Sequence, residues 1–110
     1  MTGPKVARWD FESAVLEEPC LFRQTRPDHV CRGVRDAHHV IPKQYLRQRF
    51  PGRWGVIYDP AVGVTLCRAA HEAVTRHSDY VFWDEVPQRV IDFAEARGIL
   101  QRLERECPKR

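Results

Sequence analysis

The sequence predicts a small α+β domain in which two short strands and a helix are flanked by further helices. A run over residues 34–41, flanked by apolar residues, carries a His-His pair near its end and is stopped by a proline. An apolar run over residues 62–66 leads directly into a helical stretch that carries His71. Apolar residues at helical spacing on both sides of these runs predict the flanking helices. A chain of 110 residues is expected to form a single domain.

The N-terminal part is predicted to be a loose tail over residues 1–7 followed by a short helix over residues 9–18. Trp9 and Phe11 lie near helical spacing and are expected to be core residues. Asp10 is expected to cap this helix.

Residues 19–33 are rich in turn-forming residues and are predicted to be a loop. This stretch contains two of the four cysteines of the chain, which stand at positions 20, 31, 67 and 107. Because we expect no export signal, we interpret the cysteines as reduced thiols or ligands and not as a disulfide framework.

The His-His pair stands at the end of the first predicted strand. Neighbouring side chains of a strand point to opposite faces, so His38 and His39 cannot have the same role. One can bind a metal ion while the other faces a substrate. Two adjacent histidines alone are more often surface polar residues than a metal site. The pattern around His71 further along the chain favours a metal site.

Basic residues follow the first strand. Residues 43–54 predict a basic helix that is stopped by a Pro-Gly pair. Residues 38–77 carry six Lys or Arg against two Asp or Glu, a balance of +4, whereas residues 1–37 are neutral and residues 78–110 carry −1. This pattern suits a polyanion partner. An ordinary amphipathic helix with a solvated basic face is equally compatible with it.

The second strand is followed by a predicted helix over residues 68–77, with His71 in its first turn facing back toward the first strand. The C-terminal residues 78–110 have apolar positions at helical spacing and predict two helices separated near Gly98. We expect this extension to pack on the strands and supply core. Binding of a partner protein is the alternative.

Two motifs, Ala-His-His-Val-Ile-Pro at residues 37–42 and Leu-Cys-x-x-x-His at residues 66–71, resemble those of the HNH endonuclease family, in particular its small phage-type members. The resemblance covers residues 19–77. It implies a ββα-metal domain of the HNH, treble-clef-like kind, with residues 1–18 and 78–110 as flanking segments.

The resemblance also implies an activity, the metal-dependent hydrolysis of DNA phosphodiester bonds. Carried over by position, His38 and His71 are metal ligands and His39 is the general base. The cofactor is one divalent ion, Mg²⁺, Mn²⁺, Ni²⁺ or Zn²⁺, and two imidazole ligands favour the borderline metals among these. Phosphate contacts are assigned to the basic residues of the segment, Lys43, Arg47, Arg49, Arg53 and Arg68. The alternative is a weak or inactive module of this fold that binds DNA or a partner.

Many members of this family carry two Cys-x-x-Cys pairs that hold a structural zinc ion. Here Cys20 and Cys67 match the first cysteine of each pair, but Arg23 and Ala70 replace the second. The expectation is therefore that there is no structural zinc and that the two cysteines are small core residues. Stability is then expected to come from apolar packing of Trp9, Phe22, Leu66, Val90 and Phe93.

Two further points stay open in the sequence. His29 or Cys31 could rebuild the zinc site, although their spacing is unusual for one. Val62 stands where the family usually has an Asn that pins the loop, and Asp59 could cap this loop instead.

No apolar run is long enough for a membrane span and no signal peptide is evident, so a cytoplasmic protein is expected, in the host cytoplasm if it is phage-encoded. DNA is the expected partner, with no membrane contact. Phage packaging proteins are further partners that the resemblance suggests.

Overall fold

The computed structural model describes residues 3–110, and within this range seven α-helices and one two-stranded antiparallel sheet confirm the α+β class. In chain order the elements are α1 (Pro4–Val15), α2 (Leu21–Thr25), β1 (Arg35–His39), α3 (Lys43–Arg49), α4 (Trp54–Ile57), β2 (Gly63–Cys67), α5 (Arg68–Thr75), α6 (Gln88–Ala96) and α7 (Leu100–Glu106). Short 3₁₀ turns lie at Pro60–Val62 and Trp83–Glu85.

The sheet lies between two helices and positions the histidines. β1 and β2 pair in a register that places His38 opposite Val64 and His39 opposite Gly63. One face of the sheet contacts α1, to which Thr65 Oγ1 donates a hydrogen bond at the Val15 carbonyl (2.6 Å). The other face contacts α5. Successive residues of β1 therefore face α5 and α1 in alternation.

The predicted N-terminal tail and helix boundaries are wrong. α1 begins at Pro4, after Gly3, and ends at Val15, so it takes up most of the predicted tail, of which residues 1–2 lie outside the described range. Proline is well suited to the first turn of a helix, where its missing N–H is not needed. Trp9 is 65% exposed and is not a core residue, whereas Phe11 of the same helix is buried against the sheet.

Three further boundaries differ from the predictions. The loop predicted over residues 19–33 contains α2. The basic helix ends at Arg49, because Pro51 and Gly52 form a turn in which Gly52 has a φ of +72°. β1 ends at His39, after which the buried Val40 and Ile41 lead into α3.

The C-terminal helices pack beside the turn that precedes β2. Val90 and Phe93 of α6 are buried there, and Arg89 donates a hydrogen bond to the Gly63 carbonyl (2.9 Å). Arg26 joins α2 to this extension through ion pairs with Glu85 (2.9 Å) and Asp79 (2.7 Å). Within residues 3–110, none of the helices has the length and apolar character that a membrane crossing requires.

Candidate active site and metal centre

Two of the predicted histidine ligands face each other across the β1–α5 interface. His38 points from the penultimate position of β1 toward α5, and His71 points back from the first turn of that helix. Their ring centroids are 5.2 Å apart, and both residues are half-buried. The structure thus brings together a pair of imidazoles that could share one ion.

A carboxylate that the sequence reasoning missed lies beside this pair. Asp36 Oδ2 accepts a hydrogen bond from His71 Nδ1 (3.2 Å), and both Asp36 oxygens accept from Arg68 (2.6 and 3.1 Å). The hydrogen bonds from Arg68, together with His71, hold the pKa of Asp36 below its usual range. A proton on His71 Nδ1 leaves the lone pair on Nε2, the atom then available to a metal ion.

His39 occupies the opposite face of β1, as the strand alternation predicted. Its ring stacks on Phe11 of α1 with centroids 4.3 Å apart and meets Tyr58 edge-on at 5.8 Å. Nε2 lies 2.8 Å from the carbonyl oxygen of Ile57. Because a carbonyl only accepts, Nε2 carries the proton, and Nδ1 is the atom that can accept another one.

Both strand histidines are neutral at physiological pH. Burial, followed by the neighbouring His71 and His39, lowers the pKa of His38 to about 3. Burial lowers the pKa of His39 to about 4, because the favourable bond to the Ile57 carbonyl only partly offsets it. Neutral imidazoles are the forms that bind metal ions and accept protons.

A cavity of about 450 Å³ gives access to all three histidines. The end of β1, Lys43 of α3 and the exposed face of α5 form part of its wall. His77, just after α5, and four residues of the C-terminal extension form the remaining side, namely Tyr80, Val81, Glu106 and Cys107.

The basic residues assigned to DNA do not form one uniform surface. Lys43 lines the cavity, and the exposed Arg47 reaches the Tyr58 hydroxyl (3.3 Å). Arg49 and Arg53 are exposed, and their guanidinium carbons lie 6.0 and 5.8 Å from the centre of the Phe50 ring. Arg68 is the exception, because its guanidinium is paired with Asp36 and so carries little free charge for a phosphate.

A second group of donors lies at the other end of the sheet. Cys20, His29, Cys31 and Cys67 offer ligand atoms that all lie within 4.8 Å of one another. His29 Nε2 is 3.8 Å from Cys20 Sγ and 3.6 Å from Cys67 Sγ. Ligand atoms of a tetrahedral zinc ion with Zn–S of about 2.3 Å stand roughly 3.5–3.8 Å apart, which these distances match. The cluster could hold a metal ion, and its donor set is consistent with zinc.

The loop before β1 brings the third cysteine to the cluster by hydrogen bonds to the start of α5. Ala69 N–H donates to the Arg32 carbonyl (3.1 Å) and Arg68 N–H to the Val34 carbonyl (2.7 Å). Gly33 permits this approach, because it has a φ of +81° and a Cβ there would lie 2.8 Å from Arg68 Cβ.

The thiols of the cluster differ in acidity. Burial, together with the neighbouring thiols, raises the pKa of Cys31 to about 11. Burial opposes ionisation of Cys67 as well, but the backbone N–H groups of Arg32 and Ala70 outweigh it and hold the Cys67 pKa below its usual value. The Cys67 N–H in turn donates to Cys20 Sγ (3.3 Å). Such N–H···S bonds stabilise thiolates, the ligand form of cysteine.

The expectation of no structural zinc stays a prediction, but the structure removes one argument for it. That argument was that Cys20 and Cys67 need not face a common ion, whereas the structure places both in one cluster. His29 and Cys31 complete this cluster with two further donor atoms. Arg23 is exposed, as expected for a residue outside the cluster.

The loop before β2 is held as the sequence suggested. Asp59 Oδ1 accepts a hydrogen bond from the Ala61 N–H (2.9 Å) and so caps the turn. Val62, at the position where an Asn was expected from the resemblance, is fully buried and packs in the core. Apolar packing and the Asp59 cap together fix this loop.

No known protein-family model, curated protein or solved structure matches this chain significantly. The proposed function therefore depends on the sequence motifs and on the geometry described above.

Proposed function

We propose that this protein is a metal-dependent endonuclease of the HNH type that hydrolyses phosphodiester bonds in DNA. The observation that supports the proposal is that two adjacent histidines at the end of β1 lie on opposite faces of the strand and have different neighbours. His38 faces His71 across the sheet–helix interface, while His39 is held on the other face by the Ile57 carbonyl. His38, His39 and His71 all contribute to the lining of one cavity.

The residues on the face of β1 that carries His38 fit a divalent ion. His38 and His71 would hold it, with His71 oriented by Asp36. When bound, such an ion supplies positive charge that stabilises the phosphate and the leaving oxygen in the transition state. Two imidazoles suit Zn²⁺, Ni²⁺ or Mn²⁺, and Mg²⁺ stays among the candidates because water and phosphate oxygens can complete its shell.

His39 is proposed as the general base. Its Nδ1 would take a proton from the attacking water, while the Nε2–H bond to the Ile57 carbonyl keeps the ring in place and stabilises the imidazolium that forms. Stacking on Phe11 restricts the ring further. Lys43 in the cavity wall, with Arg47, Arg49 and Arg53 on and after α3, would hold flanking phosphates.

The Cys20–His29–Cys31–Cys67 cluster is proposed as a structural zinc site, separate from the catalytic centre. Three thiolates and one imidazole form a closed donor set of the kind that structural zinc sites use. The ion would join Cys20 at the start of α2, His29 and Cys31 in the loop before β1, and Cys67 at the junction of β2 and α5. Metal binding would therefore help to fix the relative positions of β1, which carries His38, and α5, which carries His71.

A second candidate function is a non-catalytic module that binds DNA or a protein partner. One observation favours it, because a pKa of about 4 makes His39 a weak proton acceptor at neutral pH. Nuclease activity separates the two candidates.

The test is cleavage of supercoiled plasmid in the presence of Mg²⁺, Mn²⁺, Ni²⁺ or Zn²⁺ in turn, with EDTA as the control. His39→Ala is expected to abolish nicking while metal affinity stays near the parental value, because His39 is not a ligand. The lost stacking on Phe11 should lower the melting temperature. Glu72→Gln, an exposed change next to His71, is the matched control. Nicking by His39→Ala at the parental rate would show that the role assignment is wrong. No cleavage with any metal would leave the binding module as the function.

A further inference from the structure

The cavity wall between α5 and the C-terminal extension contains two aromatic rings that the proposed chemistry does not use. His77 and Tyr80 both line the cavity, with ring centroids 6.2 Å apart and planes inclined by 32°. Tyr80 is 36% exposed, one of the few large apolar side chains left open to solvent among residues 3–110. Both residues line the same cavity as His38 and His71.

The backbone at His77 adds a second observation. Its φ of +59° is the only positive value at a non-glycine residue in the described part of the chain. The residue follows the C-terminus of α5, a position where glycine is strongly preferred. Positive φ is uncommon at non-glycine residues and is often found at functional sites, and His77 lines the cavity.

The charges at this cavity suit a phosphate chain. Lys43 lines the same cavity. The nearby carboxylates already have partners, since Glu106 is bound by Arg102 (2.9 Å) and Asp79 by Arg26 (2.7 Å). A polyanion entering the cavity therefore meets a free cation and paired acids.

We propose that His77 and Tyr80 form a stacking platform for an unpaired base next to the scissile phosphate, so that the preferred substrate is DNA with a single-stranded segment. This inference rests on the proposed endonuclease function and names its substrate class. Stacking on an aromatic side chain requires an exposed base face, which a base inside a duplex does not offer. The cavity of 450 Å³ lies within the size range of small-molecule sites, about 300–1,000 Å³, so it has room for a base.

The test measures binding separately from cleavage, by fluorescence anisotropy in a His39→Ala background. The probes are a labelled single-stranded oligonucleotide and a blunt duplex of the same length and sequence. Single-stranded DNA is expected to bind more tightly, and Tyr80→Ala to weaken it about 5- to 30-fold with little effect on the duplex, the loss that corresponds to one stacked base. Tyr80→Phe is expected to keep the parental affinity. Trp9→Ala removes an exposed aromatic side chain that does not line the cavity and is the matched control.

His77→Gly removes the imidazole from the cavity without destabilising the backbone at this position. Glycine suits the backbone at a φ of +59°, so this variant is expected to melt at a higher temperature while it binds single-stranded DNA less tightly. Equal affinity for the two probes, or an equal loss in Tyr80→Ala and Trp9→Ala, would overturn the platform. Preference for the single strand in a protein that cleaves no plasmid would support the platform and overturn only the endonuclease function.

Discussion

Asp36 accepts a hydrogen bond from His71 across the interface between β1 and α5, at 3.2 Å. Asp36 stands two residues before His38 and therefore faces the same side of the sheet. One strand thus supplies both a candidate ligand and the carboxylate that orients the second ligand. Carboxylates in this position fix the tautomer of a metal-binding histidine and raise its basicity.

Replacement of Asp36 tests this arrangement. Asp36→Asn is expected to lower metal affinity and cleavage about 10- to 100-fold, the usual effect of losing such a partner, with the fold retained. Titration calorimetry with Mn²⁺ measures the affinity. The control is Glu72→Gln, which removes an exposed acid from the same helix. Parental affinity in Asp36→Asn would mean that Asp36 only neutralises Arg68.

The two candidate ligands belong to one site, so their effects should not add. His38→Ala and His71→Ala are each expected to lower metal affinity and activity strongly. The double variant is expected to be little worse than either single one, because the site is already broken. The same calorimetric titration measures all three proteins. Unchanged affinity in both single variants would remove the metal site from this cavity.

The features that could be predicted from sequence are local ones. The alternation of side chains along β1 predicted that His38 and His39 lie on opposite faces. The position of His71 in the first turn of the helix after β2 predicted that it faces the first strand. The Asp59 cap also followed from the side chain and its turn. Such features depend on the few residues around them.

The parts that were missed depend on contacts between distant residues. The Cys/His cluster forms because the loop around Gly33 hydrogen-bonds to the start of α5. The spacing of the cysteines in the sequence does not predict that contact. Asp36 was overlooked because its role depends on His71, which lies 35 residues further along the chain. The exposure of Trp9 follows from the rotation of α1 on the sheet, which periodicity near the chain end could not fix.

The metal cluster gives a direct compositional prediction. Purified protein is expected to contain one zinc ion that resists mild EDTA, and Cys20→Ser or Cys67→Ser is expected to lose it together with much of the thermal stability, because binding energy here is folding energy. Elemental analysis and melting curves measure both. Cys107→Ser is the control, since this buried thiol lies outside the cluster and should cost stability without loss of zinc. Purified protein that contains no zinc, and whose Cys20→Ser and Cys67→Ser variants melt at the same temperature, would show that the fold does not depend on zinc.

His39 predicts a pH dependence of stability. Its pKa is about 4 in the folded protein against 6.5 for an ordinary histidine, so between these values the unfolded chain binds a proton that the folded chain does not. Stability therefore falls as the pH falls through this window, by about 1–2 kcal/mol between pH 7 and 5 from this group. His39→Gln does not titrate and should lose less over the same interval. Urea unfolding at the two pH values gives the difference, and equal losses in both proteins would contradict the lowered pKa.

A matched pair of glycines tests how the loop before β1 builds the metal cluster. Gly33 and Gly52 both have a positive φ, +81° and +72°, so alanine is strained at either position. The surroundings differ, because a Cβ at Gly33 would lie 2.8 Å from Arg68 Cβ, whereas at Gly52 nothing lies within 4 Å. Gly52→Ala thus reports the backbone strain alone, about 1 kcal/mol.

Gly33→Ala should cost more and should also release zinc. The added methyl group must push the loop away from the start of α5, and Cys31 lies on that loop while Cys67 immediately precedes the helix. The separation of these two ligands weakens the site, so zinc content should fall in Gly33→Ala and stay near one per chain in Gly52→Ala. Elemental analysis of both variants after the same mild EDTA wash measures this. Equal zinc retention in the two proteins would show that the close approach of Gly33 to Arg68 does not position the cluster.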